Sequence, residues 1–379
     1  MIDRQKPTVT ILCSGVALGV YIPALLLNYQ LQQHQLQTEV VILEHLYTPE
    51  SQQKLKSHKQ AYHKNFSMAL MAHKMTKDIQ FSLDDELVNF ILNSWESENR
   101  CDFIVWSGFW MPIIEKYRQR VAPQPVNVDL CRIDADVSAT FKSYSNFNPH
   151  DREIWLWNWR EQKLEYELPV TTEAPIPYAA RSNRFVIHGG GWGIGTYTNK
   201  IAELEQHGIG LDIVAYEVAE SIQSNPNNRY FMVDPNWSPW LQAPNKQPEF
   251  PPFGEVNNSS NFKNRAEYHE LFDVIRQSKA IISKPGGGTL IDSLASATPI
   301  ILLEPYGYAE QSNADIWEYL GYGIAYEKWQ ELNYDLGVLE QLHQNILNRD
   351  RSTINYAQSY AENLQQRSIN SHLALINTD

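Results

Sequence analysis

The sequence predicts an α/β protein of two halves, each built on a parallel sheet. With 379 residues the chain exceeds what one core usually serves, and about 150 residues per domain suggest two domains. Each half contains an apolar strand, a glycine-bearing turn, a helix and another strand in succession, and this βαβ pattern indicates parallel strands. The proline-bearing stretch Thr171–Asn183 shows no periodicity, so we interpret it as the linker.

The composition narrows the class of protein. A net charge of −13 argues against nucleic-acid binding, which needs a positive surface, and allows at most peripheral membrane contact. The three cysteines are widely spaced and suit neither a zinc site nor a disulfide framework. The N-terminus lacks the apolar core of a signal peptide, and no run approaches ~18 apolar residues. We therefore expect a cytoplasmic protein with reduced thiols and no transmembrane helix.

The first half opens with a βαβ unit. Its expected elements are the strand Thr8–Cys13, the turn Ser14–Pro23, the helix Ala24–Gln35 and the strands Val40–Leu43, Phe103–Trp106 and Pro125–Val128. Further on, Trp155, Trp157 and Trp159 alternate, which suits a strand with one aromatic face. These rings would line a site for an aromatic or apolar ligand, or they would belong to the core.

The second half repeats the α/β pattern. Its expected strands are Phe185–His188, Leu211–Ala215, Arg229–Val233, Ala280–Ser283 and Pro299–Leu303, and its helices include Lys200–His207, Tyr268–Gln277 and Thr289–Ala297. Two such halves leave a cleft at the carboxyl ends of their strands, where ligands bind in open parallel sheets.

A glycine run follows one of these strands, in the stretch Ile282–Pro305 (ISKPGGGTLIDSLASATPIILLEP). Pro285 ends strand pairing because it has no N–H to donate. The three glycines after it have no Cβ and let the backbone approach a ligand closely: Gly286, Gly287 and Gly288. A plain strand-to-helix turn explains the same glycines.

The helix after the glycines suits an anion. Thr289 begins it, and its first N–H groups are free and lie at the positive end of the helix dipole, which favours a phosphate. Asp292, one turn later, can accept two hydrogen bonds from a ribose diol. A diphosphate beside a diol describes a sugar nucleotide.

The next stretch adds hydrogen-bonding side chains at a neighbouring strand end. Ile301–Gly323 reads ILLEPYGYAEQSNADIWEYLGYG and presents Glu310, Gln311 and Asn313. Together, Ala280–Ile324 resembles the donor-binding region of GT-B-type NDP-sugar glycosyltransferases. The match looks like the peptidoglycan N-acetylglucosaminyltransferases and the processive diacylglycerol glucosyltransferases within the UDP-glycosyltransferase superfamily.

This resemblance implies a fold and a set of roles. The GT-B fold has two Rossmann-like domains facing across a cleft, here 1–175 for the acceptor and 184–355 for the nucleotide sugar, with a C-terminal helix, 356–379, packing back on the first domain. The resemblance implies that the three glycines and Thr289 contact the diphosphate and that Asp292 holds the ribose. It also implies that Glu310 and Gln311 hold the sugar hydroxyls and that Tyr268 holds the nucleobase. Lys284 would assist the phosphate charge or be solvated. The chain departs from the family at Ala297-Thr298, where a Gly-x is usual, and in the shorter spacing from Gln311 to Asn313.

A second glycine loop, HGGGWGIG, follows the first strand of the second half. In the family this loop also approaches the donor phosphates, which implies that role for Gly189, Gly190 and Gly191. A plain turn in which Trp192 packs is the alternative.

The catalytic base is the weakest part of the match. Relatives place a His before a Pro-Ala-Leu helix start, and here Val20 occupies that position before Pro23. The candidates at other strand ends are Asp134, Asp136, His45 and His150. Two neighbouring carboxylates can split their pKa values so that one serves as base, although loop Asp residues also serve as turn or cap residues.

The function expected is inverting, metal-independent transfer of a sugar from an NDP-sugar, with UDP implied by the resemblance, to a small-molecule, lipid or peptide acceptor. No bound cofactor is expected. No metal is expected either, since a lone Asp-x-Asp motif is common by chance. Two alternatives stay open. One is a degenerate binding protein, motivated by Val20, and the other is a nucleotide-sugar 2-epimerase, which would need a different acid/base set.

Overall fold

The computed structural model describes residues 7–74, 79–144, 147–222, 225–242, 246–256, 261–350 and 352–376. Within these ranges no helix is both long enough and apolar enough to cross a membrane. Two separate parallel sheets form the framework, which confirms the two α/β halves.

The first sheet has five parallel strands in the order β2-β1-β3-β4-β5. They are β1 (Thr8–Cys13), β2 (Gln37–Ile42), β3 (Asp102–Val105), β4 (Asn127–Arg132) and β5 (Arg152–Trp155). The helices of this half are α1 (Leu18–Gln33), α2 (Pro49–Lys64), α3 (Phe66–Lys74), α4 (Asp85–Ser97), α5 (Met111–Val121) and α6 (Ala139–Lys142). Alternate residues of β1 enter two different apolar clusters, as expected for a strand covered on both faces.

Short strands follow, namely β6 (Trp157–Asn158), β7 (Lys163–Leu164) and β8 (Tyr166–Glu167). The second sheet contains β9 (Arg184–His188), β10 (Gly210–Val214), β11 (Arg229–Val233), β12 (Phe253–Glu255), β13 (Ala280–Ser283), β14 (Ile300–Leu302) and β15 (Gly323–Ala325). Its helices are α7 (Thr198–Gln206), α8 (Leu271–Gln277), α9 (Gly287–Ser296), α10 (Tyr308–Tyr319), α11 (Tyr326–Glu331) and α12 (Leu336–Leu347).

The strand order of the second sheet is β12-β11-β10-β9-β13-β14-β15, with only β12 antiparallel. Its parallel part therefore has the Rossmann order 3-2-1-4-5-6. In this order the connections reverse direction between β9 and β13, and the crevice beyond the carboxyl ends of these two strands is where such sheets bind nucleotides.

The chain returns to the first half at its end, as the GT-B resemblance implied. The strand β16 (Ile354–Asn355) pairs with β8, and the helix α13 (Tyr356–Ile376) follows. Tyr356 donates a hydrogen bond of 2.7 Å to Asp129 of β4, and Arg367 forms a 2.8 Å ion pair with Asp102 of β3. The residue boundaries between the predicted domains stay a prediction.

Two sequence expectations are corrected. Helix α1 begins at Leu18 rather than Ala24 and contains Pro23, because packing of its buried face against the core outweighs the local cost of the proline. The three alternating tryptophans do not form one aromatic strand face. Trp157 is buried and packs edge-to-face on Trp317 of α10, with ring centroids 5.2 Å apart, so it is a core residue joining the halves.

Candidate functional site

Both glycine loops lie at the crevice between β9 and β13. One connects β9 to α7, and the other connects β13 to α9. Helix α9 starts at Gly287, two residues earlier than expected, and Gly286 before it provides no side-chain cap. Because the N-cap residue cannot cap the first N–H groups of α9, these groups are suited to an anion.

The side chain of Lys284 lies between the two loops. A Cβ on Gly190 would be 3.7 Å from its Cε, one on Gly195 would be 3.9 Å from its Cδ, and one on Gly286 would be 3.4 Å from its Nζ. The ammonium forms an ion pair with the buried carboxylate of Glu310. These glycines thus leave space around a cation at the crevice.

The remaining glycines of the two loops serve other contacts. A Cβ on Gly287 would be 2.4 Å from the carbonyl oxygen of Ile133, and one on Gly191 would be 2.6 Å from Cγ of Leu18. Both contacts cross between the halves, and we call this contact surface of the two loops with the first half the seam. Gly189 packs within its own loop. The diphosphate role of these glycines stays a prediction.

The acid Asp292 is buried and already has a partner. The distance from its Oδ1 to Nε2 of His269 is 2.9 Å. Tyr268, predicted to hold the nucleobase, donates a 3.1 Å hydrogen bond to Asp273 and borders a cavity of about 1250 Å³ beside the linker. Sequence reasoning missed His269, although it is adjacent to Tyr268.

Glu310 and Gln311, the two residues of α10 predicted to hold the sugar hydroxyls, lie on different sides of the helix. Glu310 is buried, where it contacts Lys284 and accepts a 2.7 Å hydrogen bond from the N–H of Tyr306. Gln311 is exposed and donates to Asp315 at 2.8 Å, on the outer side of the same helix. Only Glu310 faces the crevice beside Lys284.

Asp134 lies directly across the seam from this cluster. Asn313 of α10 donates a 2.9 Å hydrogen bond to its Oδ1. Burial raises the pKa of Asp134 to about 6, and the negative charge of Glu310 acts in the same direction. The hydrogen bond from Asn313 and the positive charge of Lys284 act against this increase. A carboxylate with this pKa can accept a proton near neutral pH.

Asn313 is a functional candidate that sequence reasoning mentioned only as part of a motif. It is fully buried, and its Nδ2 also donates to the carbonyl of Pro285 at 2.8 Å while its Oδ1 accepts from the N–H of Ala135 at 2.7 Å. One amide therefore ties the glycine turn of the second half to the loop that carries Asp134.

The other base candidates have different surroundings. Asp136 accepts a hydrogen bond from the N–H of Val137 at 2.7 Å, as a turn residue does. His45 follows β2, which two strands separate from β4, and burial lowers its pKa although backbone carbonyls of Pro239 and Gln242 act against this. His150 is in an exposed loop.

His188, at the end of β9, was not singled out from the sequence. It is buried, and its Nδ1 accepts a 3.1 Å hydrogen bond from the N–H of Gly190. Burial, with the charges of Lys284 and His269, lowers its pKa to about 3, so it is neutral.

The part of the chain that the structure describes contains no group of three or more His, Cys, Asp or Glu side chains arranged to hold a metal ion.

Comparison with solved structures identifies the architecture. A MurG structure from Acinetobacter baumannii matches 96% of this chain and 100% of its own, with a TM-score of 0.53 and 12% identity. The spinosyn rhamnosyltransferase SpnG matches 95% and 100%, with a TM-score of 0.53 and 13% identity. Arabidopsis thaliana UGT89C1 in complex with UDP-L-rhamnose matches 95% and 99%, with a TM-score of 0.50 and 13% identity.

The chain has the GT-B fold. This confirms the fold class expected from Ala280–Ile324 and from the two halves. No protein-family model matches the sequence, and no curated protein matches it. At identities of 12–13% the structural likeness establishes the fold, and the activity has to be argued from the side chains.

Proposed function

We propose that this protein is a glycosyltransferase that moves a sugar from an NDP-sugar to an acceptor hydroxyl with inversion and without a metal. The observation that supports it most is the grouping of Lys284, Glu310 and the start of α9 at the β9/β13 crevice, with Asp134 facing them through Asn313. A cation and free N–H groups suit a leaving diphosphate, and a carboxylate with a pKa near neutrality suits a base.

The proposed chemistry uses these groups in one displacement. The Asp134 carboxylate takes the proton of the acceptor hydroxyl while its oxygen attacks the anomeric carbon. The bond from that carbon to the phosphate oxygen breaks, and the diphosphate leaves with the electron pair. The Lys284 ammonium and the N–H groups of α9 stabilise the charge that develops there. Glu310, released from Lys284 by the diphosphate, then accepts hydrogen bonds from the sugar hydroxyls.

The nucleotide is proposed to be UDP or dTDP. Among proteins of this fold, UGT89C1 was solved with UDP-L-rhamnose, and SpnG was solved with thymidine diphosphate and with spinosyn aglycone. Asp292, oriented by His269, would accept from the ribose hydroxyls. The degenerate-binding alternative shares the nucleotide site and differs only in lacking turnover.

Calorimetric titration of UDP, dTDP and GDP into the metal-free protein tests the proposal. We expect one diphosphate to bind with micromolar affinity. Hydrolysis of the matching sugar nucleotide without acceptor should then separate an active enzyme from a binding protein, because Asp134 can also deprotonate water. Failure of all three diphosphates to bind would overturn the proposal.

A further inference from the structure

The ammonium of Lys59 stands between two indole rings at the seam. Lys59 is on α2 of the first half, and its Nζ lies 5.3 Å from the ring centroid of Trp192 and 4.9 Å from that of Trp240. Trp192 belongs to the glycine loop after β9, and Trp240 follows β11. A cation of one half is therefore enclosed by aromatic side chains of the other.

Among the residues that the structure describes, neither an ion pair nor a hydrogen bond joins Lys59 to another residue. Two other amines near the glycine loops are paired, Lys284 with Glu310 and Lys64 with Glu217 at 3.8 Å.

Glu44, the carboxylate whose charge acts on Lys59, is already engaged. Glu44 raises the pKa of Lys59, but burial acts more strongly and lowers it to about 8. The two carboxylate oxygens of Glu44 accept hydrogen bonds from Ser14 Oγ at 2.5 Å and from the N–H of Gly15 at 2.7 Å. Contact with the two rings attracts the ammonium but does not neutralise its charge. A half-buried ammonium that contacts no carboxylate directly is an incomplete site, since buried charges are normally paired.

We propose that Lys59 binds an oxyanion of a substrate in the closed cleft, with Trp192 and Trp240 as its walls. The inference rests on the proposed function. Two substrates could supply the oxyanion: the donor through its diphosphate, or the acceptor through a carboxylate or phosphate. Trp192 is in the same loop as Gly190, which lies against Lys284, so the Lys59 site and the proposed diphosphate site share one loop.

The test compares Lys59→Met with Lys54→Met by calorimetry. Methionine keeps an unbranched side chain between the rings and removes the charge, and Lys54 is an exposed lysine of the same helix. The probes are inorganic pyrophosphate, UDP, uridine and 4-hydroxybenzoate. Thermal unfolding of both variants and of Lys59→Arg, which keeps the cation, reports whether the fold and the seam are retained.

The outcomes distinguish the sources. If Lys59→Met binds pyrophosphate and UDP at least tenfold more weakly than wild type and binds uridine equally well, Lys59 binds the diphosphate of the donor. A selective loss of 4-hydroxybenzoate supports an anionic acceptor. Anion affinities within twofold of wild type, or no anion binding to wild type, would overturn the proposal and leave Lys59 as a cation–π contact that holds the halves together.

The two proposals can fail separately. If UDP and 4-hydroxybenzoate each bind equally to wild type and Lys59→Met, the nucleotide site stands and the Lys59 site does not. If pyrophosphate binds in a Lys59-dependent manner while UDP, dTDP and GDP bind no better than pyrophosphate, the oxyanion site stands and the sugar-nucleotide function fails.

Discussion

Asn313 donates a 2.9 Å hydrogen bond to the carboxylate of Asp134, joining α10 of the second half to the loop after β4 of the first. These residues are separated by 179 positions in the chain. Burial raises the pKa of the Asp134 carboxylate to about 6, because it outweighs the Asn313 hydrogen bond and the Lys284 charge, which both favour the ionised form. The proposed base thus depends on contact between the two halves.

Replacing Asp134 should remove turnover and leave nucleotide binding unchanged. Asp134→Asn should lower kcat by about 10²–10⁴-fold, the usual value of general base catalysis. Wild-type kcat/KM should fall as the pH drops below about 6, since the base must be ionised. Asp136→Asn is the matched control, because that carboxylate accepts from its own turn. Turnover of Asp134→Asn equal to that of the control would show that Asp134 is not the base.

The same substitution should stabilise the protein. The folded pKa of Asp134 lies above the ordinary value of 3.8, so its ionised form destabilises the fold, and stability is lost as the pH rises from about 4 through about 6. Asp134→Asn should therefore raise the free energy of unfolding at pH 7 on the order of 1–2 kcal/mol, with little gain at pH 4. Urea unfolding at both pH values measures this. A gain of equal size at both would point to a cause other than the charge.

Asp292→Asn should weaken UDP by removing the charge that accepts from the ribose hydroxyls. A hydrogen bond to a charged group is worth about 1.5–3 kcal/mol, or ~10–100-fold in affinity. Titration with 2′,3′-dideoxyuridine diphosphate is the control, since this ligand lacks both hydroxyls and should bind wild type and variant alike. Equal UDP affinity in both proteins would refute the ribose assignment.

Neighbouring glycines of α9 should respond differently to a methyl group. A Cβ on Gly287 would be 2.4 Å from the backbone oxygen of Ile133, whereas one on Gly288 meets Cα of Gly19 at an ordinary 3.6 Å. Gly287→Ala should force the seam apart and increase amide exchange around Ile133, and Gly288→Ala should not. Hydrogen–deuterium exchange by mass spectrometry reads this out. Equal protection in both variants would mean that the seam tolerates the methyl group.

His63 should couple the position of α2 to pH. Its Nδ1 lies 2.8 Å from the carbonyl oxygen of Gly193 and its Nε2 lies 2.8 Å from Glu220, so only the imidazolium can donate to both. Burial alone would lower its pKa, but these hydrogen bonds and the charges of Glu220 and Glu217 raise it above 6.5. The contribution to stability is therefore full below pH 6.5 and lost as the pH rises through the raised value.

Exchange protection of α2 should accordingly be higher at pH 6 than at pH 8. Besides Glu220 and Glu217, Tyr216 faces the ring with centroids 4.5 Å apart, and Lys64 pairs with Glu217. His63→Gln should abolish the difference between the two pH values, after correction for intrinsic exchange, while the exposed His58 of the same helix serves as control in His58→Gln. Persistence of the difference in His63→Gln would exclude this histidine as its cause.

Much of the fold follows from local patterns. The apolar runs at β1, β9 and β13 and the glycines after them identify βαβ units, since a buried parallel strand and its turn need those residue types whatever surrounds them. Helix α1 was misjudged at its start because Gly19 and Pro23 are locally unfavourable, and only the core explains why the helix includes them.

The candidate site likewise has a part that local patterns predict and a part that depends on tertiary packing. The sequence by itself determined that two α/β halves exist and that a glycine turn, Asp292 and Glu310 stand at strand ends, because strand periodicity and backbone freedom are local properties. Only the tertiary structure decided that Gly287 meets Ile133, that Asn313 meets Asp134 and that Lys59 lies between two tryptophans. These contacts depend on strand order and on how closely the halves approach, and neither quantity is encoded in any short stretch of the chain.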